Sequence, residues 1–305
     1  MSDPCVVATA ADQNFAMQVA VLVASVSRAM RGQACLVYVL HDGFSDRQRA
    51  MVGDAAAGGC DLVWISAADA QTASARLPDF LSPATTYRLR LPELIPPEID
   101  HLIYLDADTI VRHPLTNLAA LDIGEGMVGA VRDPASPWAA MSLPWRALEI
   151  DPATHYFNAG VLRIPLDRWR FESVGPRAFD LLRRHALRWG DNCALNAIAN
   201  GGWTEVSPQW NVQGGHFDEL RPIWAAQGAD VIEPAREDPS IVHFNNPPRN
   251  RPWNLGCKNP FADEWWDLLA STPWADWRPP EPSARDRGWL RVKRAAAALV
   301  DSPPR

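Results

Sequence analysis

Apolar and polar positions follow two different periods along the first 135 residues of the chain. Short apolar segments typical of buried strands lie at residues 6–10, 36–40, 62–65, 102–105 and 127–131. Segments with helical spacing lie between them, at residues 16–30, 45–57 and 82–92. Because strands alternate with helices, the pattern predicts an α/β protein whose mostly parallel sheet is flanked by helices.

The second half of the chain is less regular. Its pattern predicts strands at residues 157–164 and 241–244, and helices at residues 166–189 and 191–199. We expect the first of these helices to be interrupted near Gly175 and Pro176. From residue 271 onward, prolines and arginines become frequent. The sequence therefore predicts one domain over residues 1–270, with an irregular C-terminal part, and a Pro/Arg-rich tail over residues 271–305.

Composition and charge restrict the class of protein. With 47% hydrophobic and 21% charged residues, the chain has the composition of a globular protein. Its net charge of −7 argues against a general nucleic-acid binder. The five cysteines are odd in number and include no C-x-x-C pair, which is typical of a reducing compartment. The N-terminus has no basic region ahead of an apolar segment, so we predict a cytoplasmic protein without a secretory signal.

The tail contains a basic segment. Residues 285–300 carry five basic side chains against one acidic residue, Asp286. On a helix, Arg287, Arg291 and Arg294 would share one side, and Trp289 would lie on another. Such a helix can bind an anionic membrane surface, which would place the protein peripherally on the inner face of the membrane. A solvated helix or loose tail is the alternative interpretation.

Two carboxylates, Asp106 and Asp108, directly follow the apolar segment at residues 102–105. Residues two apart in a strand point to the same side, so we expect both side chains to project together beyond the strand. Open α/β sheets bind their ligands at that edge. Since two close carboxylates repel unless a proton or a cation lies between them, the pair predicts a Mg²⁺ or Mn²⁺ site that also holds phosphate oxygens. Two carboxylates that simply face water are the alternative.

The segment D-A-D-T at residues 106–109 also fits the nucleophile motif of haloacid-dehalogenase-like phosphatases, in which Asp106 would be phosphorylated. In that family the motif usually lies on the first strand of the domain, whereas three predicted strands precede it here. Beyond residue 113 the only lysines are Lys258 and Lys293, and neither is a convincing partner. This phosphatase is kept as the second hypothesis.

Six segments in order resemble glycosyltransferase family 8, the retaining sugar transferases with the GT-A fold, which include glycogenin and bacterial lipopolysaccharide galactosyl- and glucosyltransferases. The resemblance runs from about residue 6 to residue 253. Its segments are A-A-D-Q-N-F at residues 10–15, T-Y-R-L at 86–89, Y-L-D-A-D at 104–108, Asp133, F-N-A-G-V-L at 157–162 and I-V-H-F at 241–244.

The resemblance implies a role for each matched residue. It implies that Asp106, Asp108 and His243 hold the metal ion. It implies that the donor nucleotide sugar is bound by Ala10, Asp12, Asn14, Phe15, Ala107, Asn158, Ala159 and either Arg249 or Arg251. The residues implied to act on the sugar or its diphosphate are Arg88, Asp133, Asp191 and Asn192.

The chain departs from the family pattern at several positions. The family's D-Q-D-x-L-N reads D-N-C-A-L-N at residues 191–196, so Asn192 replaces a glutamine and Cys193 a carboxylate. Gln13 replaces an aspartate of the nucleotide-binding segment.

The segment after His243 is two residues longer than the family's H-F-x-G-x-x-K-P-W and has arginine in place of lysine. Alignment on Pro-Trp gives the diphosphate contact to Arg251, and counting from His243 gives it to Arg249. We prefer Arg251, and either arginine can hold phosphate through two donors.

These features predict a metal-dependent, retaining transfer of glucose or galactose from a UDP-sugar to a saccharide or glycolipid acceptor. A Mn²⁺ or Mg²⁺ ion would stabilise the charge that develops on the leaving diphosphate. No unambiguous nucleophile is present. Asn192 would be a poor one, and Cys193 is a conceivable one whose side chain could instead point into the core. Attack by the acceptor on the face of departure is therefore favoured. A third hypothesis, based on Gln13 and Cys193, is a sugar-nucleotide-binding protein without catalysis.

Overall fold

The computed structural model describes residues 4–245 and 250–280. Within these residues the strands are β1 (Cys5–Asp12), β2 (Cys35–Asp42), β3 (Asp61–Ser66), β4 (His101–Leu105), β5 (Thr109–Val111), β6 (Gly129–Arg132), β7 (Phe157–Pro165), β8 (Thr204–Glu205), β9 (Val212–Gln213) and β10 (Ile241–His243). The α-helices are α1 (Ala16–Ala29), α2 (Asp46–Ala56), α3 (Ala70–Ser74), α4 (Leu91–Leu94), α5 (Thr116–Ala119), α6 (Leu166–Phe171), α7 (Val174–Arg184), α8 (Gly190–Ala199), α9 (Pro222–Gln227), α10 (Ala229–Glu237) and α11 (Ala262–Ala270).

The central sheet has seven strands in the order β3-β2-β1-β4-β7-β6-β8. All of them run in one direction except β7, which pairs antiparallel with both β4 and β6. The predicted α/β class with a mostly parallel sheet is therefore confirmed. Because β7 runs the other way, its first residues lie at the edge where β1, β4 and β6 end.

Both faces of this sheet are buried at its central strands. Alternate residues of a strand face opposite sides, and Ala8 and Tyr104 pack in one apolar cluster while Val7 and Leu105 pack in another. The first cluster includes side chains of α7 and α8, and the second includes side chains of α1, α2 and α5. This double burial explains why the strands read as nearly continuous apolar runs.

A second sheet, of three strands in the order β5-β10-β9, joins distant parts of the chain. Strand β10 pairs antiparallel with β5, with His243 opposite Thr109, and parallel with β9. The Phe244 backbone N–H donates to the Asp108 carbonyl at 2.8 Å, which extends this pairing by one residue on either side. The register therefore places Asp108 and His243 side by side.

The interruption predicted within the helix over residues 166–189 is confirmed, since the segment forms two helices, α6 and α7. The break lies at Ser173, whose φ of 53° is left-handed, rather than near Gly175 and Pro176. Gly175 and Pro176 lie in the first turn of α7. Backbone N–H groups of a first turn have no partner within the helix, so a proline there costs no hydrogen bond. Helix α7 also ends at Arg184, five residues before the predicted end at residue 189.

The segment predicted as a helix over residues 82–92 is a 3₁₀ helix, Pro83–Arg90, that continues into α4. Ser82 caps it by accepting from the Ala84 backbone N–H, as Ser45 caps α2. Helices α3, α5, α9, α10 and α11 were not predicted.

Residues 271–280 follow α11 and remain in contact with the body of the protein, since Trp277 stacks on Trp266 at 6.0 Å between ring centroids. The basic segment at residues 285–300 lies outside the described residues, so its membrane contact stays a prediction. No helix in the part of the chain that the structure describes is long and apolar enough to cross a membrane.

Candidate active site

A cavity of about 440 Å³ opens at the edge where β1 and β4 end and β7 begins. A cavity of this size is typical of a site for a small molecule or cofactor. Of the residues predicted to form the site, the cavity is lined by Ala10, Asp12, Phe15, Arg88, Asp106, Ala107, Asp108, Asp133, Asn158, Ala159, Asp191, Asn192, His243 and Arg251.

Two predicted site residues are not among those lining the cavity. Asn14 is exposed, and its backbone N–H donates to the Asp12 carboxylate at 2.9 Å. The second oxygen of Asp12 accepts from the Ser82 hydroxyl at 2.6 Å, which ties the end of β1 to the cap of the 3₁₀ helix. Arg251 lines the cavity, but Arg249 lies outside the described residues, so the preference for Arg251 over Arg249 stays a prediction.

Asp106 and Asp108 converge for a different reason from the one predicted. Strand β4 ends at Leu105, and the two carboxylates lie in the turn that follows it. The Thr109 backbone N–H and hydroxyl both donate to the Asp106 carbonyl, at 3.2 and 2.8 Å, and hold this turn. The side chains are therefore brought together by a turn rather than by the alternation of an extended strand.

His243 completes a group with these two carboxylates, and the three side chains of Asp106, Asp108 and His243 are called the metal group below. Its Nε2 lies 3.1 Å from Asp108 Oδ1 and 3.7 Å from Asp106 Oδ2. One ligand atom from each residue lies within 4.8 Å of the other two, and no other such group of three was found among the described residues. Two carboxylate oxygens and an imidazole suit Mn²⁺, and with more water ligands Mg²⁺. The donor set therefore fits the metal that was predicted.

Gly160 leaves room for this group. A Cβ at this position would lie 2.1 Å from His243 Cε1 and 2.9 Å from Asp106 Oδ2. No side chain fits there, so the backbone of β7 can approach the ring and the carboxylate closely. The Gly160 carbonyl accepts from the Asp106 backbone N–H at 2.7 Å, which fixes the approach.

Arg88 lies behind the carboxylates, almost fully buried. Its Nη2 is 2.8 Å from Asp106 Oδ1, its Nε is 2.8 Å from Asp191 Oδ2, and its guanidinium lies over the Tyr104 ring. Burial works to lower the pKa of Arg88, but Asp106 and Asp191 outweigh it and raise that pKa. Arg88 is thus a permanent cation whose charge is balanced by two protein carboxylates, and it also donates to the Ala159 carbonyl.

The pKa values of two buried acids, Asp191 beside Arg88 and Asp108 beside His243, shift in opposite directions. Burial raises the pKa of Asp191 to about 6; the Arg88 charge opposes this shift and Asp106 adds to it. Burial also works to raise the pKa of Asp108, but His243 and then Arg251 outweigh it and lower that pKa to about 2. Arg251 Nη2 lies 3.3 Å from Asp108 Oδ2, at the metal group.

Asn192 and Cys193, the departures from the family pattern, face different surroundings. The Asn192 amide accepts from the Ala159 backbone N–H and donates to the Tyr156 hydroxyl and the Phe157 carbonyl. Cys193 is fully buried with its sulfur 3.2 Å from the Tyr156 hydroxyl, and burial raises the pKa of its thiol to about 11. Cys193 is a core residue rather than part of the cavity.

Several residues around the cavity were missed by sequence reasoning. Phe80 and Trp189 line it and contact each other edge to face, with ring centroids 5.7 Å apart. Asn211 is fully buried and contacts both His243 and Asn158. None of the three stands in a motif, and only the fold brings them to the site.

The fold is the GT-A fold of solved glycosyltransferases. The galactosyltransferase LgtC, solved with donor and acceptor sugar analogs, has the same fold, with a TM-score of 0.72 and 24% identity over 88% of this chain and 96% of that chain. The apo glycosyltransferase GlyE of Streptococcus pneumoniae gives a TM-score of 0.66 and 22% identity over 90% of this chain and 62% of that chain.

The chain belongs to glycosyl transferase family 8, whose family model matches residues 6–256. General stress protein A of Bacillus subtilis is 31% identical over 199 residues, 64% of this chain and 67% of that relative. The lipopolysaccharide 1,2-glucosyltransferase of Escherichia coli is 22% identical, over 65% of this chain and 57% of the relative. The lipopolysaccharide 1,3-galactosyltransferase of Salmonella typhimurium is 23% identical, over 63% and 56%. The chain thus spans little more than half the length of these two lipopolysaccharide transferases.

Proposed function

We propose that this glycosyltransferase moves a hexose, glucose or galactose, from a UDP-sugar to a saccharide or glycolipid acceptor with retention, and that it depends on Mn²⁺ or Mg²⁺. The observation that carries the proposal is the group of Asp106, Asp108 and His243 at the wall of a cavity large enough for a nucleotide sugar. The names of the Escherichia coli and Salmonella relatives support a hexose donor and a glycolipid acceptor.

The cavity offers a distinct surface to each part of the donor. Asp12, the last residue of β1, and Phe15, in the 3₁₀ turn that follows it, present a carboxylate and an aromatic face for the uridine. Arg251 presents a guanidinium beside the metal group for the diphosphate. Asp133 and Asn158, which are hydrogen-bonded to each other at 3.1 Å, would hold the hydroxyls of the sugar.

The bond between sugar and phosphate breaks with negative charge developing on the diphosphate. A bound Mn²⁺ or Mg²⁺ supplies Lewis-acid stabilisation of that charge. Arg251 donates hydrogen bonds to the same oxygens, and it is already aimed at the site before the donor binds. Arg88 stays fixed on Asp106 and Asp191 and offsets their charge.

Retention proceeds by attack of the acceptor on the face from which the diphosphate leaves. A covalent route needs a nucleophile beneath the sugar. The Asn192 amide is neutral and engaged at both ends, and Cys193 is buried in the core. Asp191 is held by Arg88. The acceptor hydroxyl then gives its proton to a leaving phosphate oxygen as the new bond forms.

A thermal-shift screen with UDP-glucose and UDP-galactose, with and without Mn²⁺, tests this function, followed by measurement of UDP release. We expect stabilisation by a UDP-sugar that requires Mn²⁺ and disappears in Asp108→Ala. Asp54→Ala, which removes an exposed carboxylate from α2, is the matched control and keeps the effect. Hydrolysis of small phosphoesters without nucleotide binding would instead support the phosphatase hypothesis, and UDP binding without turnover would support the non-catalytic one.

A further inference from the structure

A line of hydrogen bonds runs behind the metal group and joins it to the sugar side of the cavity. His243 Nδ1 lies 3.0 Å from Asn211 Oδ1. Asn211 Nδ2 lies 3.0 Å from Asn158 Oδ1. Asn158 Nδ2 lies 3.1 Å from Asp133 Oδ2. Four side chains from four separate parts of the chain are thus connected in series.

The direction of every bond in this line follows from one backbone group. The Gly160 N–H can only donate, and it donates to Asn158 Oδ1 at 2.9 Å. The other end of the Asn158 amide is therefore the NH₂ group, which faces the Asp133 carboxylate. The Asn211 atom that faces Asn158 Oδ1 must likewise be its NH₂ group. Asn211 consequently turns its oxygen toward His243.

An amide oxygen facing Nδ1 requires a proton on that nitrogen. With the proton on Nδ1, the lone pair of the neutral ring is on Nε2, the nitrogen that faces Asp106 and Asp108. This is the tautomer that can ligate a metal through Nε2. Hydrogen bonds from the second ring nitrogen commonly fix the orientation and the tautomer of metal-binding histidines.

We propose that Asn211 is a positioning residue that sets the tautomer and orientation of His243 and links this ligand, through Asn158, to Asp133. Asn211 is fully buried and directly precedes β9, which pairs with β10, so the backbone register holds its amide beside the ring. The inference rests on the proposed metal-dependent function, and Asn211 itself is not among the residues that line the cavity.

Binding of Mn²⁺ alone, followed by the electron paramagnetic resonance signal of the free ion, tests this role without any turnover. We expect Asn211→Leu, which keeps the volume and removes the acceptor, to weaken Mn²⁺ binding roughly 10- to 100-fold, the usual effect of losing such a support. Ser25→Ala is the matched control. It removes the buried hydroxyl of α1 that accepts a hydrogen bond from the Val111 N–H of β5, a strand of the same sheet as β9 and β10. We expect this variant to bind Mn²⁺ within about twofold of the unaltered protein.

A second measurement uses the unaltered chain and does not depend on the folding of a variant. Nitrogen-15 spectra of labelled histidine, with Zn²⁺ as a diamagnetic probe that accepts the same ligand types, report which His243 nitrogen is protonated. Assignment follows from the signal that is lost in His243→Gln. We expect a proton on Nδ1 and the metal on Nε2.

Equal Mn²⁺ affinity in Asn211→Leu and the unaltered protein, or an unprotonated Nδ1 in the Zn²⁺ complex, would overturn the role of Asn211. If the proposed metal-dependent function itself were wrong, the result would be different, because the unaltered protein and Asp108→Ala would then bind Mn²⁺ equally weakly.

Discussion

Arg88 Nε lies 2.8 Å from Asp191 Oδ2 in a salt bridge whose two side chains are 5% and 4% exposed. The same guanidinium bonds Asp106, so one buried cation serves two acids, one of them part of the metal group. Loss of one partner of such a buried pair leaves charge without compensation, which costs far more than loss of an exposed pair.

Substitution Arg88→Met should therefore destabilise the protein by about 3–5 kcal/mol, because Asp106 and Asp191 lose their shared cation. The free energy of unfolding in denaturant, measured without metal, gives this value. Arg184→Met is the control, since Arg184 makes a 2.9 Å salt bridge to Asp180 but is 70% exposed. We expect its effect to stay below about 1 kcal/mol. Equal effects of the two substitutions would show that Arg88 is not structurally required.

Asp191 should give the protein a measurable dependence of stability on pH. Its pKa of about 6 in the folded state lies above the ordinary value of 3.8, so the folded state holds this proton more tightly than the unfolded chain. Stability from this group is therefore lost as the pH rises toward and through 6. We expect the stability of the unaltered protein relative to Asp191→Asn to fall by about 1 kcal/mol between pH 5 and pH 7.5. Parallel curves for the two proteins would contradict this assignment.

Gly160→Ala should disturb the metal group directly, because the added methyl would lie 2.1 Å from His243 Cε1. We expect Mn²⁺ affinity to fall roughly 10- to 100-fold as the ring is displaced. Calorimetric titration with Mn²⁺ measures this loss. Gly53→Ala lies in α2 with nothing within 4 Å of the new methyl, so it should keep Mn²⁺ binding and stabilise the helix by roughly 0.5–1 kcal/mol.

Phe15→Ala should weaken UDP binding while leaving Mn²⁺ binding intact. Phe15 lines the cavity and meets Trp253 edge to face, with centroids 6.4 Å apart. Removing an aromatic ring that stacks on a base typically costs about 1–3 kcal/mol. Calorimetric titration with UDP should therefore show this loss, and Phe15→Tyr should not. Phe171→Ala is the control, since Phe171 is 90% exposed and lies outside the cavity. An equal loss of UDP affinity in this variant would contradict a contact between Phe15 and the uridine.

Cys193→Ser should leave catalysis nearly unchanged. The thiol is buried, its pKa is raised to about 11, and its contact is the Tyr156 hydroxyl rather than the cavity. We expect UDP release to stay within about threefold of the unaltered enzyme, and intact-mass spectrometry during turnover to show no sugar attached to the protein. A trapped glycosyl adduct that is absent from the serine variant would establish a covalent route.

The sequence predicted the sheet well because its strands are buried on both faces and read as apolar runs. Fourteen of the sixteen residues predicted for the site line the cavity, since the matched segments fall at or just beyond strand ends, as Asp12 and Asp106 do. The turn that joins Asp106 and Asp108 was not predicted, because a single D-x-D pattern does not tell a strand from a turn. The left-handed Ser173 was missed for a similar reason, since Gly175 and Pro176 gave the stronger signal of a break.

Asn211 could not be found from the sequence by itself. Its position depends on the pairing of β9 with β10, where β9 is two residues long and carries no periodic signal. Its role arises only when Asn158 and His243 lie on either side of it. Long-range register of this kind is decided by the packing of the whole domain rather than by local propensity.

Asp108 and His243 are 135 positions apart in the chain and meet only in the finished fold. A cation held between them would act as a removable cross-link that closes a very long loop without a covalent bond. Because the unfolded chain cannot present both ligands together, such an ion binds the native form alone and raises the melting temperature with its concentration. A cation that served the proposed transfer would thereby also stabilise the fully folded polypeptide over any partly folded form.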